Sequence, residues 1–287
     1  MKIKNMYPIG RELKMKKSLV VILSFLLVAN AFSATKKTGW ELIGVKGKVK
    51  EMSKITCAVK NIQGEEVKEF KVKSINKFDA EGNLIEQVAC QANGVKSIGK
   101  YDDNNRPIEH SDYKADGTLY NKSIGKFDEL GHATEIAQYN ASGTLWFKRI
   151  FKCNDKGAVI ESAEYKADGA LTGKSSSTYK YDDKGNLIES EKYYQNGSFV
   201  KYTYKYDDEG KQIEYAEYNA NGDLMAKHIY KYNENGNKIE SSEYDKAGTI
   251  NQKHIYKYDE TGNQIEDAAY DKSGTLSGIA ESSYTYY

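Results

Sequence analysis

From about residue 75 onward, apolar and polar positions alternate with a period of two. His254-Ile255-Tyr256-Lys257-Tyr258 and Gln264-Ile265-Glu266-Asp267-Ala268-Ala269-Tyr270 are representative runs. They are rich in β-branched and aromatic residues and nearly free of proline, which predicts β-strands rather than helices. Two turn signals bound each run, Asp-x-x-Gly-Asn (Asp259 to Asn263) and Asp/Asn-x-x-Gly (Asp271 to Gly274). Both read as type I turns with the acid at the first position and glycine in the left-handed conformation. Short strands about 13 residues apart follow, making a meander of roughly sixteen. Strand alternation puts Tyr256 and Tyr258 on one face and Ile255 and Lys257 on the other, with Glu266 sharing a face with Tyr270.

The pattern is a repeat of about 26 residues. Its aromatic falls at Phe78, Tyr101, Phe127, Tyr181, Tyr206, Tyr232 and Tyr258, with Cys153 in the same slot of the fourth copy. A lysine precedes each, an acid follows eight residues later (Glu86, Glu109, Glu135, Glu161, Glu189, Glu214, Glu240, Glu266), and a tyrosine (Cys90 in the first copy) and then a glycine complete the unit. Aromatic cross-strand pairs add about 0.2 to 1 kcal/mol each, so many units together hold what one hairpin cannot. The expected fold is all-β: tandem β-hairpin repeats in an elongated, twisted antiparallel meander or open β-spiral, with each unit stabilised by its neighbours.

Three segments are expected. Residues 1–34 read as a secretory signal peptide, with Lys16 and Lys17 ahead of the apolar run Leu19 to Val28; the start falls at Met15 and cleavage near Ala31. Residues 35–73 carry strand material with a different beat, read as an N-terminal β cap over the sheet edge. Residues 74–287 hold about eight repeats. After removal of the leader, no apolar run reaches the roughly 20 residues of a membrane span.

Composition narrows the functional classes. Lys and Arg number 42 against 41 Asp and Glu, which gives no electrostatic case for nucleic acid or an anionic membrane. The 24 tyrosines make disorder a poor reading despite a mean hydropathy of -0.73. The repeated acids are equivalent, whereas paired-carboxylate catalysis needs two acids in unlike environments, so no catalytic residue is assigned and the chain reads as a non-enzyme. The Asp-x-x-Gly loops are explained by turn chemistry, and His228 and His254, one repeat apart, lie too far apart to share a zinc. No metal or cofactor site is therefore expected. Cys90 and Cys153 replace repeat aromatics, and a Cys57–Cys90 bridge is geometrically open but not favoured.

The Tyr-Asp-x-x-Gly-Asn-x-Ile-Glu element, over residues 75–287, resembles the tyrosine-aspartate (YD) repeat of the RHS and teneurin families. That resemblance implies a surface or secreted β-sheet spiral, for which a carbohydrate-binding role has been proposed. The period here is slightly long, the chain is too short to wrap a closed shell, and no toxin or self-cleaving module follows. The expectation is an exported binding or scaffold module in the periplasm, on the surface or in the medium. Its partner would be an envelope carbohydrate or, through a sheet edge or aromatic face, a surface protein. Stacked phenols flanked by polar groups suit sugar rings, and the locally unusual aromatic patch of Trp146, Phe147 and Tyr139 is the candidate binding site.

Overall fold

The computed structural model describes residues 38–62 and 65–287. The leader expected over residues 1–34 lies outside them. A one-turn helix, α1 (Gly39–Leu42), precedes eighteen strands: β1 (Val49–Ile62), β2 (Glu65–Phe78), β3 (Leu84–Gln91), β4 (Lys96–Tyr101), β5 (Pro107–Tyr113), β6 (Leu119–Phe127), β7 (Ala133–Asn140), β8 (Leu145–Cys153), β9 (Val159–Lys166), β10 (Leu171–Tyr181), β11 (Leu187–Tyr194), β12 (Phe199–Tyr206), β13 (Gln212–Tyr218), β14 (Leu224–Tyr232), β15 (Lys238–Asp245), β16 (Ile250–Tyr258), β17 (Gln264–Asp271) and β18 (Leu276–Tyr286). Each pairs antiparallel with the next along the chain.

The sheet is a closed barrel, not an open meander or spiral. β1 pairs with β18 from Val49↔Tyr286 to Ala58↔Gly278, so the first strand and the last share a seam and the ring has no open edge there. Two features close it. The long β1–β2 hairpin supplies the two strands that bridge β18 and β3. A bulge recurs beside every repeat lysine, at Lys77/Phe78, Lys100/Tyr101, Lys126/Phe127, Lys152/Cys153, Lys180/Tyr181, Lys205/Tyr206, Lys231/Tyr232 and Lys257/Tyr258. Bulges bend a strand and steepen its twist, and repeating one in each unit curls a sheet onto itself.

The turns form as the alternating pattern predicts. In the first, Gly82 N–H donates to the Asp79 carbonyl at 3.1 Å and Asn83 N–H donates to Asp79 Oδ1 at 2.7 Å. Gly82 sits at φ +87°, the left-handed region that glycine enters without strain. The second copy has Asn105 in the glycine slot, at φ 59°. Its buried side chain is used: Asn105 Oδ1 accepts from Leu84 N–H at 2.6 Å, tying two adjacent turns together.

At this end of the barrel an N-terminal strap, residues 38–48, crosses the seam. Thr38 and Glu41 form a capping box at the start of α1. Trp40 N–H donates to the Gly82 carbonyl and its indole Nε1–H to the Val49 carbonyl at 2.6 Å. Asn263, fully buried, grips Lys46 at both backbone groups, accepting from its N–H at 2.6 Å and donating to its carbonyl at 3.0 Å. Val45, Val49, Phe78 and Leu84 form a buried cluster here, with Trp40, Met52, Tyr101 and Tyr284 packed against it.

Cys57, Cys90 and Cys153 are free thiols. Cys57 stands opposite Phe70 and Cys90 opposite Lys73 in the strand register. Burial, with Asp128 nearby, pushes the Cys153 thiol up from its ordinary range, which removes it further from nucleophilic use.

Candidate functional site: the lumen face

Register fixes which side chains share a face. Lys257 pairs with Glu266, Ile255 with Ala268 and Lys253 with Tyr270 on one face; Tyr256 pairs with Asp267 and His254 with Ala269 on the other. Exposure identifies inside and outside. Repeat lysines such as Lys126 and Lys257 are 64% and 63% exposed, as befits a convex wall. The second face is the concave one, and charged groups there such as Asp112, 12% exposed, and Arg149, 18% exposed, are more shielded than those lysines.

The outer face is monotonous. The repeat Lys–Glu rungs run around the wall, from Lys77–Glu86 at 2.7 Å through Lys126–Glu135 at 2.9 Å to Lys257–Glu266 at 2.7 Å. Several acids take a second lysine, as Glu240 does between Lys231 at 2.9 Å and Lys253 at 3.1 Å. Small residues such as Ala137, Ala216, Ser242 and Ala268 are buried beneath the lysine stems and isoleucines.

The lumen face varies from copy to copy. Three residues before the repeat lysine, the inward column reads Ser74, Ser97, Ser123, Arg149, Ser177, Tyr202, His228 and His254. Three residues after the repeat acid, it reads Ala89, Asp112, Gln138, Glu164, Lys192, Glu217, Glu243 and Ala269. The neighbouring outward columns, by contrast, are lysine in seven of the eight copies (Lys73 to Lys253, with Ser176 the exception) and isoleucine in six. The inward column just before the repeat lysine divides the barrel in two: Asn76, Gly99 and Gly125 in the first copies, then Phe151, Tyr179, Tyr204, Tyr230 and Tyr256.

The lumen phenols have two jobs. One column is structural, its hydroxyls donating to the carbonyls at the neighbouring bulges: Tyr206 to Leu187 at 2.8 Å, Tyr232 to Gln212 at 2.7 Å, Tyr258 to Lys238 at 2.6 Å and Tyr284 to Gln264 at 2.7 Å. The other group clusters on β12–β14. Tyr202 and Tyr215 stack at 5.8 Å between centroids, Tyr204 meets Tyr215 at 5.5 Å, and His228 meets it at 5.4 Å. Burial pushes the Tyr202 phenol up to about 12 and the Tyr215 phenol higher still. Among the described residues no hydrogen bond engages either hydroxyl, so both are available to a ligand. Further round, Lys238 Nζ lies 4.9 Å over the Tyr256 ring, and burial lowers the affinity of that amine for its proton.

Trp146, Phe147 and Tyr139 do not converge on one face. Tyr139, opposite Leu145, belongs to the outward tyrosine column. Phe147, opposite Gln138, faces the lumen, where the Arg149 guanidinium lies 5.7 Å over its ring. Trp146 occupies the extra position of a bulge and is half exposed, with its ring 5.8 Å from that of Phe147. His228 and His254 both point into the lumen; His254 Nδ1 sits 2.6 Å from Asp267 Oδ1.

One trio looks superficially catalytic. Ser97 Oγ donates to Asp112 Oδ1 at 2.5 Å, and His110 Nε2 lies 3.1 Å from the same oxygen. Serine and histidine share the carboxylate instead of forming a relay, so this geometry gives the Ser97 hydroxyl no histidine base. These hydrogen bonds outweigh burial and hold the Asp112 carboxyl below its ordinary range. Among the described residues no group of His, Cys, Asp or Glu is arranged to hold a metal ion, and no helix is long and apolar enough to cross a membrane.

No protein-family model and no curated protein matches the chain. Solved structures do align with it. A porin-like protein from Bacteroides uniformis is 8% identical, with a TM-score of 0.42 over 83% of this chain and 98% of that one. A porin-like protein from Bacteroides vulgatus is 12% identical, with a TM-score of 0.28 over 84% and 99%. The Photorhabdus luminescens Tc holotoxin pore is 12% identical, with a TM-score of 0.30 over 75% of this chain and 16% of that one.

Proposed function

We propose that this chain is an exported, envelope-associated, non-enzymatic β-barrel that stands in water and holds a saccharide against the phenol cluster of its lumen. The observation that carries the reading is the division of labour between the faces: copies of the repeat agree where they point outward and differ where they point inward. A wall needs the same rung everywhere, whereas a binding surface needs particular groups at particular places. Stacked Tyr202 and Tyr215, with His228 beside them and hydroxyls to spare, suit a ring bearing many hydroxyl groups.

The outer rungs support a barrel surrounded by water. A lipid-facing barrel presents an apolar band, and a lysine or arginine at its midplane costs about 2 to 4 kcal/mol. A charged rung in each repeat has no place in such a band. A second reading, a protein partner, is favoured by the half-exposed Tyr120, Trp146 and Met225 at the strand bulges. Seam closure removes the open sheet edge that strand addition would have used.

A glycan and envelope-polysaccharide binding screen tests the reading, run with the wild type, Tyr202→Ala/Tyr215→Ala and Tyr139→Ala/Trp146→Ala. Saturable binding lost only in the first variant is expected. Loss confined to the second would shift the site to Tyr139 and Trp146, and absence of binding to every glycan would favour the protein partner.

A further inference from the structure

Next to the phenol cluster the lumen carries a group of charges that the wall does not need. Arg149 on β8 pairs with Glu164 on β9, directly opposite in register. Gly173 stands opposite Glu164 on β10, and a β-carbon there would come within 3.3 Å of its carboxylate oxygen. The carboxylate is thus seated flat against the wall. The pairing uses one edge of the guanidinium only, since Arg149 Nε is buried and donates to nothing among the described residues. A buried N–H left without an acceptor costs about 1 to 3 kcal/mol, so an acceptor delivered from outside gains what the folded protein lacks.

Lys192 on β11 faces the same space. It lies 5.3 Å over the Tyr194 ring, and among the described residues no carboxylate pairs with it. Burial, then repulsion from Arg149, lowers its hold on its proton, with Glu164 the one acid opposing them. Tyr202, the stacked phenol of the cluster, stands two residue pairs along the β11–β12 register from Lys192: Tyr202 is opposite Ser190 and Lys192 opposite Val200. Two cations, Arg149 and Lys192, and two acids, Glu164 and the Glu217 opposite Tyr202, therefore border the aromatic platform. Arg149, Lys192, Tyr202 and Tyr215 occupy columns where the other copies of the repeat carry something else, while glutamate recurs at the Glu164 position as Glu217 and Glu243.

We propose that Arg149 and Lys192 form a carboxylate-binding pair beside the Tyr202–Tyr215 platform, making the lumen a site for an acidic saccharide such as a hexuronic acid oligomer. The inference rests on the saccharide reading of the lumen and adds the charge of the ligand. A planar carboxylate matches the guanidinium fork and the free Nε–H, with the ammonium as a second point charge, while the pyranose ring lies on the phenols. Glu164 and Glu217 prevent a general anion sink by offsetting the two cations, so the ring contact is required as well.

The test is calorimetric titration of the full chain with a galacturonate tetramer, an uncharged glucose tetramer and inorganic phosphate. Lys192→Met, Lys192→Arg and Tyr202→Ala are compared with the wild type. The galacturonate tetramer is expected to bind at least about tenfold more tightly than the glucose tetramer, with an affinity that falls as salt rises. Lys192→Met should weaken it by about tenfold or more and Lys192→Arg should restore most of the loss, leaving any binding of the neutral sugar unchanged. Equal affinity for both sugars with no effect of Lys192→Met would overturn the carboxylate pair but leave the lumen reading in place. Phosphate binding as tightly as the galacturonate tetramer would also overturn it, because the ring would contribute nothing. If neither sugar binds, both readings fall.

Discussion

The two faces of the wall were built from one repeat yet follow different rules. Outside, Lys122, Lys148, Lys201 and Lys253 recur at one position and Glu109, Glu135, Glu189 and Glu240 meet them. Inside, the residue beside each of those lysines is serine, arginine, tyrosine or histidine in turn. The outer pattern is a mechanical specification, since each strand must present a rung to the next and any copy will serve. The inner pattern has local addresses, with the aromatic arc of β8–β16 opposed to the serine and glycine arc of β2–β7. Function is therefore sought where the copies disagree.

The largest effect expected concerns the ring itself. Deleting residues 276–287 removes β18 and leaves β17 and β1 with open edges, so the shortened chain should self-associate or aggregate. A monomeric, cooperatively unfolding product by size-exclusion chromatography and thermal denaturation would mean that the wall does not depend on closure.

Turn glycines sharpen the comparison between the strap end and the rest. Gly82→Val places a side chain in the left-handed region and within 2.3 Å of the Trp40 ring, and should cost about 3 kcal/mol or more by displacing the strap. Gly248→Val has the same backbone problem at φ +77° but nothing within 4 Å, so about 1 to 2 kcal/mol is expected in chemical denaturation. Equal losses in the two variants would show that the strap contributes nothing.

The lumen phenols make stability fall at high pH. Tyr101, Tyr202 and Tyr284 are pushed up to about 12 by burial, against about 10 in an unfolded chain. Because the unfolded state releases these protons first, their contribution is complete below pH about 10 and is lost as pH rises through about 12. Denaturant midpoints measured across that interval, with phenolate absorbance as a second probe, should fall together. A flat midpoint would mean that the phenols are wet.

The smallest effect belongs to the outer wall. Glu240→Gln loosens one rung with two lysine partners and should cost about 0.5 to 1 kcal/mol, less at high salt. An effect as large as that of Gly82→Val would mean that the rungs are more than a repeated surface device.

Much of this was legible in the sequence. The Asp79-type turns, the strand alternation that separates Tyr256 from Lys257, and the shared repeat position of His228 and His254 follow from spacing alone. Closure was not legible, because the seam joins Ser53 to Ser283 across nearly the whole chain, and periodicity carries no information about long-range pairing. The bulges that curl the sheet were hidden within the repeat as single extra residues such as Ile265. Trp146 and Phe147 are adjacent at a bulge and keep their rings 5.8 Å apart, whereas Tyr139 lies on the other face. Arg149 and Lys192 are single departures within their columns, and Glu164 shares its column with Glu217 and Glu243, so a consensus does not show them. Reading each repeat column by its variability, and not by its consensus, would have found them.

The closed ring is tested most directly at its seam. In a chain with Cys57, Cys90 and Cys153 replaced by serine, Ser53→Cys and Ser283→Cys place thiols at directly opposed positions of β1 and β18. Opposed residues of an antiparallel pair lie within about 4.5 to 5.5 Å at their β-carbons, close enough for mild oxidation to join them with small adjustment. The account predicts rapid, nearly complete formation of an intramolecular disulfide between the first and last strands under native conditions, with the protein remaining monomeric. Thiols that stay free, or that link only different molecules, would contradict a closed barrel and return the chain to an open array.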